Sequence, residues 1–258
     1  MPSNTHLQVS AISPLIIQSE IRSMSVECDR VGGINLAQGI CDTEVPQSVV
    51  ERAVEAIHKG HNIYTRLDGI AALRQAIATK LERHNGIHAN PDSEVLVTSG
   101  ATGAFYAACL ALLNPGDEVI LLEPCYGYHI NTLLSLRVKP VIALLAAPDW
   151  QLDVDALRQA VTPRTRAIVI NSPSNPSGKV FSDAEMQAIA DLAIEYDLFV
   201  LSDEIYEYFL YDGTRHISIA TLPGMAERTI TISGLSKTFS ITGWRVGYLT
   251  ASSRWTPS

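Results

Sequence analysis

From residue 94 onward, short apolar runs alternate with segments whose apolar positions recur every three or four residues. The runs at 94–99, 117–123, 139–146, 166–172, 197–203, 228–234 and 245–250 read as strands. They are rich in Val, Ile and Leu on both faces, as strands covered on both sides are. Between them, 103–113, 128–137, 154–161 and 182–196 carry helical periodicity. Asp153 is placed to cap the third of these helices, and Ser182 with Glu185 forms a capping-box pattern at the start of the fourth. Doubly covered strands joined by helices predict an α/β three-layer sandwich with a mostly parallel central sheet. In such sheets the functional residues gather beyond the carboxyl ends of the strands.

The residues before 94 have another character. The pattern predicts a helix over 13–27 in an N-terminal arm, then a turn-rich loop at 35–46. Two further helices are expected at 46–60 and 67–84, stopped by Gly60 and by Asn85-Gly86. No internal repeat is visible.

Composition narrows the picture. A chain of 258 residues, 47% hydrophobic, can bury a core of one large or two small domains. Nineteen Lys and Arg against 27 Asp and Glu give a net charge of -8, and no basic run offers a nucleic-acid surface. The longest apolar stretches, such as 141–147, are too short to cross a membrane, and the first residues lack the basic and apolar segments of a secretory leader. Cys28, Cys41, Cys109 and Cys125 have no metal-like spacing and read as reduced thiols of a cytoplasmic protein. The seven histidines form no cluster, so no metal is expected. The glycine fingerprint of dinucleotide enzymes is absent.

Candidate chemistry sits at strand ends. The segment 233–248, SGLSKTFSITGWRVGY, places Ser236 and Lys237 after one strand and Arg245 before another. Two charges in an otherwise small or apolar segment need a reason to be there. An amine beside a cation can act as nucleophile and base, and a guanidinium grips a phosphate through paired hydrogen bonds. Asp203 ends an apolar strand, where it reads as a site carboxylate or as a helix N-cap. Tyr206 follows three residues later. The turn at 98–108, TSGATGAFYAA, brings backbone N–H groups to a helix start, which suits an anion. The loop 171–182, NSPSNPSGKVFS, and the aromatic of 123–129, EPCYGYH, also follow strands.

In this order and spacing, the segments closely resemble those of class I/II aminotransferases, the fold-type-I pyridoxal-phosphate (PLP) enzymes. The resemblance implies PLP as cofactor and a Schiff base on Lys237. It implies Asp203 against the pyridine nitrogen, Tyr206 and Asn175 on the phenolate oxygen, and Tyr126 stacked on the ring. Gly100, Ala101, Thr102, Ser236 and Arg245 would hold the phosphate. Tyr64 would reach the phosphate of a second subunit, making a homodimer with shared sites. Gly39, with Gln38 beside it, and Asn175 would lie near the substrate. Pro176, Ser177 and Gly178 would shape the loop, and Asn171 receives no firm role. Lys237, Asp203 and Tyr206 would be catalytic, and Glu204 structural or exposed. One departure is Gly234, where many relatives carry serine.

The implied function is transamination between an L-amino acid and a 2-oxo acid. The alternatives are a carbon–sulfur or related lyase, or a PLP-binding fragment with little activity. The resemblance further implies an N-terminal arm and part of the small domain at 1–45. Residues 46–258 would form an incomplete PLP-binding large domain, truncated at the C-terminus, with the C-terminal small domain absent.

Overall fold

Seven of the apolar segments pair into one sheet. They are β1 (Val95–Ser99), β2 (Glu118–Glu123), β3 (Lys139–Leu144), β4 (Thr165–Asn171), β5 (Phe199–Asp203), β6 (Thr229–Gly234) and β7 (Val246–Thr250). The structure is a computed structural model that describes residues 7–17, 20–39, 41 and 43–256. The strand order is β1-β7-β6-β5-β4-β2-β3. Strands β6, β5, β4, β2 and β3 run parallel, and β7 runs antiparallel to both β1 and β6. The sheet is therefore mixed and mostly parallel, as the apolar runs predict, and β7 lies inside it.

The helices are α1 (Glu20–Val31), α2 (Gln47–His58), α3 (Ala71–Lys80), α4 (Gly100–Leu112), α5 (Gly127–Ser135), α6 (Val154–Gln159), α7 (Asp183–Glu195) and the short α8 (Leu235–Thr238). Alternation along the strands divides the core into two layers. Val119, Leu121, Val169, Leu201 and Ile232 pack beneath α4 and α5, together with Ala104, Phe105 and Leu133. Ile120, Ile168, Ile170 and Val200 pack on the other face against Met186 and Ile189 of α7 and Leu157 of α6. Tyr248 of β7 and Val95 of β1 complete that second face against Ile77 of α3 and Leu81. Asp203 thus follows Leu201 toward α4, while Ser202 and the residue after Asp203 turn to the opposite layer.

The capping signals are realised. Asp153 accepts from the Ala156 N–H at 2.9 Å. Ser182 accepts from the Glu185 N–H at 3.3 Å, and Glu185 accepts from the Ser182 N–H at 2.9 Å. The expected helix over 67–84 ends as predicted, through a π turn (Leu81–Asn85) and left-handed Gly86. It starts late, at Ala71, because 67–70 docks on β1. The Val97 N–H donates to the Asp68 carbonyl, and Gly69, at φ +97°, lies against the Val97 side chain.

The continuous helix expected over 13–27 is not formed. Among the described residues of that span, Ser13–Leu15 make one 3-10 turn opened by Pro14. Ile16 is then extended, and α1 begins at Glu20. The Ile17 carbonyl accepts from the Asn131 side chain of α5 at 2.9 Å, so a tertiary contact replaces a helical one. Residues 18 and 19 lie outside the described residues.

Candidate active site

The carboxyl ends of β4, β5 and β6 face the first turns of α4 and α5 across a cavity of about 810 Å³. Asp203 ends β5 and is 6% exposed. Its Oδ2 lies 3.2 Å from His129 Nε2, and Oδ1 accepts from the Ile205 N–H at 3.2 Å. No helix follows it, so the N-cap reading falls away and a local turn contact takes its place. His129, on α5, is packed against Phe105 with ring centroids 4.2 Å apart, and among the described residues nothing hydrogen-bonds its buried Nδ1. Nε2 is the ring atom that faces Asp203.

Tyr206 sits in the turn after β5. Its hydroxyl is 3.5 Å from Asn175 Nδ2. Burial and the nearby Asp203 charge raise its pKa, so at neutral pH the hydroxyl keeps its proton and can donate. Burial, with contributions from Tyr128, Asp203 and Tyr206, pushes the Tyr126 hydroxyl up to about 12. Tyr126 meets His129 edge-on at 5.3 Å between centroids. Asn171 is a clamp: its Nδ2 donates to the Asp203 carbonyl at 2.9 Å, and its Oδ1 accepts from the Asn175 N–H at 2.7 Å. It ties the asparagine loop to the end of β5.

Lys237 projects from α8 into the cavity, with Nζ 5.5 Å from the centre of the Tyr206 ring. Gly234 before it has a steric reason. A Cβ there would stand 2.9 Å from the Val246 carbonyl oxygen and 3.0 Å from the Gly247 Cα. The close approach of β6 and β7 therefore excludes the serine expected of many relatives. Ser236 is buried at the cavity wall.

Arg245, in the left-handed region at φ +58°, turns its guanidinium back, and Nη1 donates to the Thr242 carbonyl at 3.0 Å. Helix α4 begins at Gly100, three residues earlier than its pattern suggests, so Gly100, Ala101 and Thr102 form its first turn. Their N–H groups are the ones a helix leaves without intrahelical partners. Gly100 has φ +72°, and a Cβ on it would stand 2.4 Å from Arg245 Nη2. The turn and the guanidinium thus share a cradle that only glycine leaves open.

Gly39 and Gln38 line the same cavity, and Gln38 accepts from Ser25 Oγ at 3.1 Å. Tyr64 does not. It is fully exposed, at 103%, and is absent from the cavity wall of its own chain. Glu204 takes the structural of its two expected roles and is wholly buried. His129 is the residue that the sequence pattern passed over. Its only signal was a histidine at an inward position of α5. A second cavity, about 710 Å³, lies over Ala107, Ala111 and Leu249, and its Arg66 and Asp68 are paired with each other.

The family profile described as aminotransferase class I and II matches residues 31–256. A probable N-succinyldiaminopimelate aminotransferase DapC of Mycobacterium tuberculosis is 46% identical over 228 residues, covering 87% of this chain and 57% of that protein. An aspartate aminotransferase of Pyrococcus abyssi is 42% identical over 241 residues, covering 93% and 62% respectively. The solved N-succinyldiaminopimelate aminotransferase from Mycobacterium tuberculosis superposes with a TM-score of 0.92 at 43% identity, covering 96% of this chain and 65% of that one. The fold and the comparisons together define the fold-type-I architecture of the PLP-dependent transferases. This chain belongs to the class I and II aminotransferases. Family membership implies PLP as cofactor. The chain spans about three fifths of the length of the relatives it matches. Among the described residues, no helix is long and apolar enough to cross a membrane.

Proposed function

We propose that this chain binds PLP in the cavity at the ends of β4, β5 and β6 and serves amino-group transfer between an L-amino acid and a 2-oxo acid. The observation that carries the reading is the convergence of Lys237, Asp203 and Arg245 on one cavity. The donor set fits the group. The first-turn N–H groups of Ala101 and Thr102, the Ser236 hydroxyl and the Arg245 guanidinium suit a phosphate. Gly100 supports this, because its missing Cβ keeps the cradle open. Asp203 suits a protonated pyridine nitrogen, and the Tyr206 and Asn175 donors suit a phenolate oxygen. Tyr126 offers a ring face.

When bound, PLP supplies an aldehyde that condenses with amines and a ring that withdraws electrons. Asp203, oriented by His129 at 3.2 Å, would hold the ring nitrogen in its protonated form. Lys237 Nζ would be the amine that holds the aldehyde end of the group, and would serve as base toward the substrate α-proton. Tyr206 donates its hydroxyl proton without losing it, and Asn171 keeps Asn175 in reach. Gly39 and Asn175 lie where a substrate carboxylate would enter. We assign 46–258 to the cofactor-binding domain, and 1–45 to an arm and part of a smaller domain. Tyr64, exposed beside Ile63 and Leu67, fits a homodimer in which it reaches the partner's cavity.

The test is the visible absorption spectrum of the purified chain with added PLP, before and after an amino-acid mixture. The expected result is a band that Lys237→Ala lacks and that amino acids alter. A folded chain with no Lys237-dependent band would overturn the reading.

A further inference from the structure

Behind the Asp203 turn, in the opposite layer, lies a buried polar cluster that this chemistry does not use. Glu204 and Glu207 are 0% and 1% exposed. Glu204 Oε1 accepts from Ser202 Oγ at 2.9 Å and Ser218 Oγ at 2.8 Å. Its Oε2 accepts from Asn85 Nδ2 at 3.0 Å and faces His216 Nε2 at 2.8 Å. Glu207 accepts from Ser233 Oγ at 2.9 Å and from Asn85 Nδ2 at 2.7 Å, and it pairs with Lys80. Lys80 also donates to Asn85 Oδ1 at 2.8 Å. The carboxylates and His216 are close enough together to suggest a metal site. However, Asn85 Nδ2 bridges the two carboxylates and the Lys80 ammonium pairs with Glu207, so the cluster carries its own cation.

A buried carboxylate with four partners is rigid, and removing a partner leaves an uncompensated charge. The backbone it anchors is the one that aims the site. The Glu204 N–H donates to the Ile232 carbonyl at 2.8 Å, continuing the β5 ladder, and the Glu207 N–H donates to the Glu204 carbonyl at 3.0 Å. Because adjacent residues face opposite layers, fixing the Glu204 side chain fixes the direction of the Asp203 carboxylate.

We propose that Glu204 is a positioning residue: its contacts with Ser202, Ser218, Asn85 and His216 hold Asp203 against His129 and Tyr206 near Asn175. The functional meaning rests on the reading of the cavity as a PLP site, while the positioning itself is a property of the unliganded chain. Lys80 and Asn85 join the region before β1 to the same cluster, so the end of α3 also bears on the Asp203 turn.

The experiment compares Glu204→Gln with the unsubstituted chain. Glu118→Gln is the control, because Glu118 is a buried carboxylate at the opposite end of the sheet. The readouts are the ¹⁵N signals of the His129 ring, amide exchange at 203–207, and PLP affinity by spectrophotometric titration. Glu204→Gln is expected to move the His129 ring signals, to speed exchange of the Ile205 and Glu207 amides, and to weaken PLP binding by about ten-fold. Glu118→Gln is expected to lower the melting temperature and leave all three unchanged.

Should Glu204→Gln not fold, Ser218→Ala removes a single donor and is expected to move the same signals to a smaller extent. Unchanged His129 signals in a folded variant, whatever its melting temperature, would overturn the proposal. The same changes produced in the unsubstituted chain by EDTA would also overturn it, in favour of a bound cation. If the unsubstituted chain shows no Lys237-dependent band while Glu204→Gln still moves the His129 signals, the positioning holds and the PLP reading falls.

Discussion

Gly100 is held from three sides: by its own left-handed backbone, by Arg245 Nη2, and by Gly247, whose Cβ would stand 2.3 Å from the Gly100 carbonyl carbon. Gly100→Ala is therefore expected to displace the guanidinium. PLP affinity should fall by about ten-fold or more, and stability by about 1–3 kcal/mol. Spectrophotometric titration and urea unfolding check the two effects separately. Residues such as Gly100, Lys237 and Asp203 are legible in the sequence because each departs from what its surroundings call for. A lysine in a small, apolar segment and a carboxylate closing an apolar strand both need a partner. His129 and Glu204 were less legible. Of their partners, Asp203 for one and Asn85 for the other stand far away along the chain, and His216 and Ser218 reach Glu204 only through the fold of the loop after β5.

Secondary structure followed the sequence wherever the local signal and the packing agreed. The seven strands and the caps of α6 and α7 are such cases. Ser182→Ala removes the acceptor for the Glu185 N–H and one hydroxyl donor to Glu185, whose carboxylate keeps Lys179 and the Leu152 N–H. A loss of about 1 kcal/mol is expected, read from the urea midpoint. Agreement failed where a tertiary partner competed for the backbone. The Asn131 side chain takes the Ile17 carbonyl, and Val97 takes the Asp68 carbonyl, so neither stretch continues its helical pattern. The start of α4 moved the other way. Small residues at 100–102 carry little periodic signal, yet they form the first helical turn, beside the Arg245 guanidinium.

Across the whole molecule, strand order converts sequence-distant segments into one site. Strands β4, β5 and β6 are neighbours, so the asparagine loop, the Asp203 turn and α8 emerge side by side. The far end of the sheet is pinned by Glu118. Its carboxyl is held down to about 2, first by the Thr162 hydroxyl and then by Arg164 and Lys139. A carboxyl whose folded pKa lies below its ordinary value contributes stability above that ordinary value, and this is lost as pH falls through the folded one. Stability is thus expected to decline from the ordinary carboxylate range down toward pH of about 2, with Glu118→Gln flattening that limb. Urea midpoints measured across the acid range decide it, and a decline unchanged in Glu118→Gln would assign the acid sensitivity to other groups.

The sequence by itself determined the layer architecture and most of the cavity's polar residues. Periodicity, caps and strand-end charges are local properties, and they survive in the folded chain. Only the tertiary structure decided the strand order, the Asn171 clamp and the pairing of Asp203 with His129. It also decided that Gly234 suits this chain, because the paired β7 backbone at Val246–Gly247 leaves a Cβ there too little room. Such facts depend on which surfaces meet, and local periodicity does not say which sequence-distant surfaces those are.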